Sequence, residues 1–221
     1  MDVEKLLDII IDIYNNEEQL SSNLSDELIF QASHSDSVDV RGWLAKALVF
    51  DNANKDVVAL LCKLSKDDDA SVRVEAIDSL SSYCCHESYS ALCLAINDSD
   101  ELVRAYAAFG IAVVGKVISA SEAKKLLSYA EKKEHSTHVL VGIYEGLYIL
   151  GNDIALDKLI YLFREDNYHT QCAVLNALGE IVNPDNLHKI VAFISRLDAT
   201  KYPVSVSGTL LRLQKKCAGF V

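Results

Sequence analysis

The chain has 221 residues, of which 50% are hydrophobic, and it contains only 2 prolines and 9 glycines. This composition excludes a disordered protein, and the scarcity of glycine favours helices over a turn-rich sheet. The 21 basic and 32 acidic residues give a net charge of −11. A field of that sign repels nucleic-acid phosphates and attracts basic protein surfaces, so it argues against a nucleic-acid partner.

Residues 1–34 are predicted to form one or two amphipathic helices that cap the N-terminal end of a helical array. The start, MDVEK, lacks the basic segment and apolar run of a secretory signal. The longest uncharged apolar run, residues 105–115, is shorter than the roughly 20 residues that a membrane span needs. The six cysteines show no Cys-x-x-Cys spacing. We therefore expect a reduced, cytoplasmic protein with no membrane contact.

A repeat runs through residues 35–221. The pair Val-Arg recurs with its arginine at positions 41, 73 and 104, at intervals of 32 and 31 residues. The same spacing of apolar residues fits again at Leu140 and Gln171, and weakly at Val204. In the five clear copies, apolar residues stand three and seven positions later, on one helical face: Leu44, Leu48, Ala76, Leu80, Ala107, Ile111, Ile143, Leu147, Val174 and Leu178. This period predicts an all-α solenoid of about six stacked helical hairpins, forming a single domain over residues 1–221.

Each of these helices follows a shorter apolar helix and, in the clearest copies, an acidic turn such as residues 66–69, KDDD. Helix, acidic turn and Asp-x-x-Val-Arg together resemble HEAT repeats, in particular the short bacterial kind also found in phycobilin lyase-like proteins. The resemblance is strongest from Asp39 to Val114. It implies that the arginines are structural and pair with aspartates of the turns. The residues placed for this role are Arg41, Arg73, Arg104, Asp39, Asp69 and Asp100. Asp69 and Asp100 also suit helix N-caps.

The resemblance further implies that the second helix of each repeat lines an inner, concave surface that faces a partner. Residues two and five positions after the arginine position point away from the buried column, and Glu180 lies four positions further along the same face. The predicted partner-binding residues are Trp43, Glu75, Asp78, Tyr106, Phe109, Glu145 and Glu180. Aromatic anchors among carboxylates suit a basic protein partner. Helical offsets equally allow the aromatic residues to lie in the core between helices.

The sequence predicts no enzyme, no cofactor and no metal site. It contains no P-loop and no G-x-S-x-G, H-E-x-x-H or G-x-G-x-x-G motif. His135 and His138 are three residues apart, as zinc ligands can be, but no third ligand follows at a matched spacing. His86 lies beside Cys84 and Cys85 at the predicted end of a helix, where a histidine suits the helix dipole, and no third group orients a cysteine nucleophile.

These observations favour a non-catalytic interaction protein that binds a basic protein partner. The most specific hypothesis is an inhibitor or immunity-type protein that neutralises a basic toxin such as a nuclease. One alternative is a bilin lyase or chaperone, by family analogy alone. Another is an alkylpurine DNA glycosylase-like enzyme of the helical-repeat type, which needs a basic groove. The only concentrated basic cluster that could serve it is Arg212, Lys215 and Lys216.

Overall fold

The computed structural model describes residues 2–52, 55–165 and 167–220. All regular elements in this part of the chain are helical. The helices are α1 Val3–Asn15, α2 Leu20–Asn23, α3 Asp26–Ser33, α4 Val38–Ala47, α5 Lys55–Leu64, α6 Ala70–Leu80, α7 His86–Ala95, α8 Glu101–Ile118, α9 Ala120–Glu131, α10 Thr137–Ile149, α11 Ile154–Leu162, α12 Tyr168–Ile181, α13 Leu187–Ile194 and α14 Val204–Ala218, with single 3₁₀ turns at Leu48–Phe50 and Ala199–Lys201. The predicted all-α solenoid fold is confirmed.

The chain divides into two compact units, Met1–Ala123 (unit 1) and Lys124–Val221 (unit 2), and the division falls within α9. In unit 1, helices α1, α4, α6 and α8 pack side by side in chain order, and α3, α5 and α7 form a second layer against them. In unit 2, α10, α12 and α14 pack side by side, α11 contacts α10 and α12, and α13 contacts α14. The single domain over residues 1–221 stays a prediction.

The buried column of each repeat lies where the helical offsets place it. All ten apolar residues three and seven positions after the arginine position are at most 1% exposed. The residue before the arginine position is buried as well: Val40, Val72, Val103, Val139 and Thr170. Because positions −1, +3 and +7 fall on one stripe of an α-helix, this stripe is the buried face of each repeat helix.

Polar side chains begin the five helices that carry the repeat. In each case a side-chain oxygen of the N-cap residue accepts a hydrogen bond from a backbone N–H two or three residues further along the chain. The N-cap residues are Ser37, Asp69, Asp100, Ser136 and Asn167. Such caps satisfy N–H groups that lack a partner in the first turn. The arginine position is therefore always four residues after the cap.

The last repeat follows a different register from the one its apolar spacing predicts. Val204 and Leu211, which the weak copy places at the arginine position and in the buried column, are 90% and 59% exposed. Pro203 occupies the N-cap position of α14, so the position four residues later is Ser207. Val206 before it and Leu210 three residues after it are fully buried. The correct register is thus shifted by three residues.

Candidate functional site

The arginines of unit 1 form a ladder along the turns between helices. Arg41 donates from Nε to Asp67 Oδ2 at 2.7 Å and from Nη2 to Asp67 Oδ1 at 2.9 Å. Arg73 makes the same bidentate contact with Asp98, at 2.9 and 2.8 Å. Both pairs are largely buried, with 11–16% of each side chain exposed. Each pair joins one repeat to the next, because the aspartate lies in the turn just before the helix that bears the next arginine.

The structure corrects the predicted partners of these arginines. Asp69 accepts from Ser71 N, and Asp100 accepts from Leu102 N and Val103 N. These carboxylates cap helices, while the aspartates two residues earlier pair with the arginines. Asp39 is exposed in the first turn of α4. The position six residues before each arginine holds Ser35 in the first repeat and Asp67 and Asp98 in the next two.

Charge reinforces this arrangement. The hydrogen bonds from Arg41 lower the pKa of Asp67 most strongly. For Asp98, burial opposes ionisation, but the hydrogen bond from Arg73 and the Asp100 backbone N–H outweigh it and lower the pKa. The guanidinium also donates from Nη1 to a backbone carbonyl six residues earlier: Ser35, Asp67 and Asp98 for Arg41, Arg73 and Arg104. Arg41 and Arg73 each bind an aspartate and a carbonyl at once, which the several donors of a guanidinium allow.

Unit 2 keeps part of this arrangement without arginine. Gln171 is 9% exposed and donates from Nε2 to the carbonyl of Glu165, again six residues earlier, at 3.1 Å. Leu140 has no side-chain donor. Ser207 donates from Oγ to the carbonyls of Ala199 and Tyr202. The turn-closing hydrogen bond thus survives at Gln171, which confirms the register of that repeat.

An aromatic cluster lies on the exposed side of α4 in unit 1. The rings of Tyr14 and Trp43 meet edge to face with centroids 5.5 Å apart, and Phe50 lies 5.5 Å from Tyr14. The Lys46 ammonium is 5.4 Å from the Tyr14 centroid and 5.3 Å from the Trp43 centroid. These distances lie within the range of cation–π attraction.

Carboxylates on α6 continue this surface toward α8. Glu75 Oε2 lies 3.6 Å from Lys46 Nζ. Asp78 contacts solvent, yet the surrounding protein atoms remove enough water from its carboxylate to raise its pKa, and Glu75 adds to the increase. Burial raises the pKa of Tyr106 on α8, with smaller contributions from Asp78 and Glu75. We call the residues of this surface, Tyr14, Trp43, Lys46, Glu75, Asp78 and Tyr106, the aromatic–acidic face.

The structure brings together four of the predicted partner-binding residues, Trp43, Glu75, Asp78 and Tyr106. Tyr106 is 40% exposed, whereas Trp43 and Phe109 are half-buried. Tyr14 was missed by the sequence argument because it lies in the predicted capping segment, outside the repeat. The repeat period does not extend into α1, so it does not relate Tyr14 to residues of α4. The contact of Tyr14 with Trp43 depends on the tertiary packing of α1 on α4.

Glu145 and Glu180 lie in unit 2 and differ from each other in burial. Glu145 on α10 was expected on the partner-binding surface, but it is only 7% exposed. Burial, followed by the neighbouring Glu180 carboxylate, raises the pKa of Glu145 to about 8. Glu180 is exposed and lies 3.5 Å from Lys216 Nζ. Glu145 therefore carries a proton at neutral pH and is a poor primary contact for a cation.

The described residues contain no group of three or more His, Cys, Asp or Glu that could hold a metal ion.

His86 begins α7 and does not end a helix as expected, and Cys85 takes the N-cap position before it. Burial raises the pKa of the Cys62 thiol, which lines a groove of about 530 Å³ together with Cys84 and Cys85. Among the helices of the described ranges, none is long and apolar enough to cross a membrane.

A family comparison agrees with the positions of the repeats in unit 1. Residues 25–112 match the family model of HEAT repeats. A search of curated proteins gave no match. One similar solved structure is the complex of CpcE and CpcF of phycocyanin lyase from Nostoc sp. PCC7120, with a TM-score of 0.47 and 13% identity over 90% of this chain and 95% of the matched chain. Another is an engineered protein, with a TM-score of 0.42 and 17% identity over 99% of this chain and 94% of the matched chain.

The family match covers α4, α6 and the first part of α8, including all three arginines, and it begins close to the start of α3, inside the segment predicted as capping helices. The ladder of Arg41 and Arg73 with the aspartates of the following turns lies within the matched residues. Residues 25–112 of this chain are therefore similar to HEAT repeats.

Proposed function

We propose that this protein is a non-catalytic interaction solenoid that binds a basic protein through the aromatic–acidic face of unit 1. In its most specific form, the proposal is an inhibitor or immunity-type protein that neutralises a basic toxin such as a nuclease. The observation that carries the proposal is the convergence of Tyr14, Trp43 and Tyr106 with the carboxylates of Glu75 and Asp78 on four adjacent helices, α1, α4, α6 and α8.

The chemistry of this face suits a basic protein. Aromatic side chains supply large contact area with few rotatable bonds, and they recur as the residues that carry most of the energy at protein interfaces. Two carboxylates on α6 exceed the one cation, Lys46, that faces them. A lysine or arginine of the partner would therefore meet uncompensated negative charge beside an aromatic wall.

The net charge of −11 supports the same partner class over a longer range. Opposite charge on two proteins speeds their encounter and orients them before contact, and this effect weakens as salt screens it. An inhibitor benefits from fast association, because it must reach its target before the target acts.

The test begins with affinity capture by the wild type and by a Glu75→Gln/Asp78→Asn double variant, with bound proteins identified by mass spectrometry. A matched control is Asp26→Asn/Glu27→Gln, which removes the same charge from the exposed first turn of α3. The proposal expects a protein of high isoelectric point that the wild type and the control retain and the face variant loses.

The association rate of that protein is then measured from about 50 to 500 mM salt. A rate that falls steeply with salt for the wild type, and less steeply for the face variant, supports electrostatic recognition at this face. Equal capture by the face variant and the control, or a rate that does not change with salt, would contradict the proposal. Inhibition of a captured nuclease would support its most specific form.

A further inference from the structure

We propose that Tyr14, Trp43 and Glu75 form a pocket for a lysine or arginine side chain of the partner, and that Lys46 occupies this pocket as an internal substitute in the free protein. This inference rests on the proposed function and specifies the chemistry of its site. It assigns to Lys46 a role opposite to that of the carboxylates: Lys46 limits binding until it is displaced.

The contacts of Lys46 define the pocket. Its ammonium lies within 5.4 Å of two ring centroids, and these rings stand at 68° to each other, so the cation faces two aromatic walls at once. Glu75 provides the third side, 3.6 Å from the ammonium. Two aromatic faces and a carboxylate are a set of groups that stabilises an ammonium or guanidinium ion.

The same geometry indicates that Lys46 can leave. Its contact with Glu75 is longer than a hydrogen bond, and 35% of the lysine side chain and 31% of the glutamate side chain are exposed. A lysine has a long flexible stem, so its ammonium can move into solvent without any change in the backbone of α4. An incoming arginine is planar and more weakly hydrated, and it stacks better on aromatic rings.

Charge next to the pocket favours this exchange. Asp78 lies close enough to Glu75 and Lys46 for both to affect the pKa of its carboxyl. With one lysine facing two carboxylates, a second cation entering from the partner is still attracted. The partner's cation can therefore approach before Lys46 has moved, and Lys46 then withdraws toward solvent.

Trp43 makes the inference directly measurable, because it is the only tryptophan in the chain. Its fluorescence is recorded while acetyl-(Arg)5-amide is added, with acetyl-(Gln)5-amide as the uncharged probe. The variants are Lys46→Met, which keeps the stem without the charge, and Lys125→Met, which removes one positive charge from an exposed position on α9. Thermal unfolding verifies that each variant is folded.

We expect Lys46→Met to bind the arginine peptide at least about fivefold more tightly than the wild type, and Lys125→Met to change the affinity less than about twofold. Adding Glu75→Gln to Lys46→Met should abolish the gain. The inference is overturned if Lys46→Met binds no more tightly than Lys125→Met, or if the glutamine peptide gives the same fluorescence change as the arginine peptide.

These outcomes are separate from those of the proposed function. If the face variant loses a basic partner while Lys46→Met shows no gain, the interface stands and the pocket is overturned. If Lys46→Met gains affinity while capture is unaffected by Glu75 and Asp78, the pocket stands and the proposed partner class is overturned.

Discussion

The two units of this chain use charge in opposite ways. In unit 1, two largely buried arginines pair with aspartates, Arg41 with Asp67 and Arg73 with Asp98. In unit 2, the arginine position holds Leu140, Gln171 and Ser207, and the buried carboxyl of Glu145 faces another carboxylate rather than a cation. The comparison separates two functions of the repeat arginine. The hydrogen bond to the carbonyl six residues earlier closes a turn, which Gln171 can also do, whereas the ion pair joins adjacent repeats.

The largest effect should follow from removing a ladder arginine. Arg73→Met leaves the largely buried carboxylate of Asp98 without its cation and removes hydrogen bonds to the carbonyls of Asp67 and Asp68. We expect a loss of roughly 3–4 kcal/mol, because an unpaired buried charge is costly. The measurement is denaturant unfolding followed by the fluorescence of Trp43, which lies in unit 1.

The matched change in unit 2 is Gln171→Met, which removes one neutral hydrogen bond. It should cost only about 1 kcal/mol in unfolding followed by circular dichroism. Equal losses of unfolding free energy from the two substitutions would show that the ion pair adds no stability beyond the turn-closing hydrogen bond. The two functions assigned to the repeat arginine would then not be separate.

Helical offsets predicted the buried column, and residue type predicted the N-caps Asp69 and Asp100, because those features depend on residues within one helix. They did not identify the partner of Arg73, because Asp98 and Asp100 both flank the turn and only the folded turn distinguishes them. The ring of Tyr14 reaches Trp43 from outside the repeat. The burial of Glu145 depends on how α10 packs within unit 2, so its offset alone suggested an exposed residue.

Glu145 should make unit 2 more stable in acid than at alkaline pH. Its pKa of about 8 in the folded state exceeds the ordinary value of 4.5, so the folded state holds the proton more tightly. Its contribution is then fully favourable below about pH 4.5 and decreases as the pH rises toward about 8. Glu145→Gln cannot ionise and should raise the free energy of unfolding by roughly 2–3 kcal/mol at pH 7.

The measurement for Glu145 is the melting temperature between pH 4 and pH 9, followed by circular dichroism. The gain of Glu145→Gln over the wild type should vanish near pH 4 and be largest above pH 8. Glu18→Gln, at an exposed position, serves as the control and should show no comparable trend. A gain that is the same at pH 4 and pH 8 would mean that packing, and not ionisation, separates the variant from the wild type.

Unit 1 should show the reverse pH dependence, because the pKa values of Asp67 and Asp98 are lowered in the folded state. The stability that these carboxylates contribute is present above the ordinary aspartate value of 3.8 and is lost as the pH falls through their lowered values. Asp98→Asn should cost about 2 kcal/mol at pH 7 and clearly less near pH 3, in unfolding followed by Trp43 fluorescence. A cost that does not change with pH would argue against a charged pair.

The smallest effect distinguishes the two aspartates of a turn. Asp100→Ala removes the side chain that accepts Leu102 N at 2.8 Å and Val103 N at 3.2 Å. We expect a loss of about 1 kcal/mol, the usual contribution of an N-cap, with no change in the coupling between Arg73 and Asp98 in a double-mutant cycle. Asp39→Ala, in the first turn of α4 behind the Ser37 cap, should cost less than about 0.5 kcal/mol. If Asp100→Ala also weakened the coupling between Arg73 and Asp98, the cap and the ladder would be one structural element, since the Asp100 backbone N–H donates to Asp98 Oδ1 at 2.8 Å.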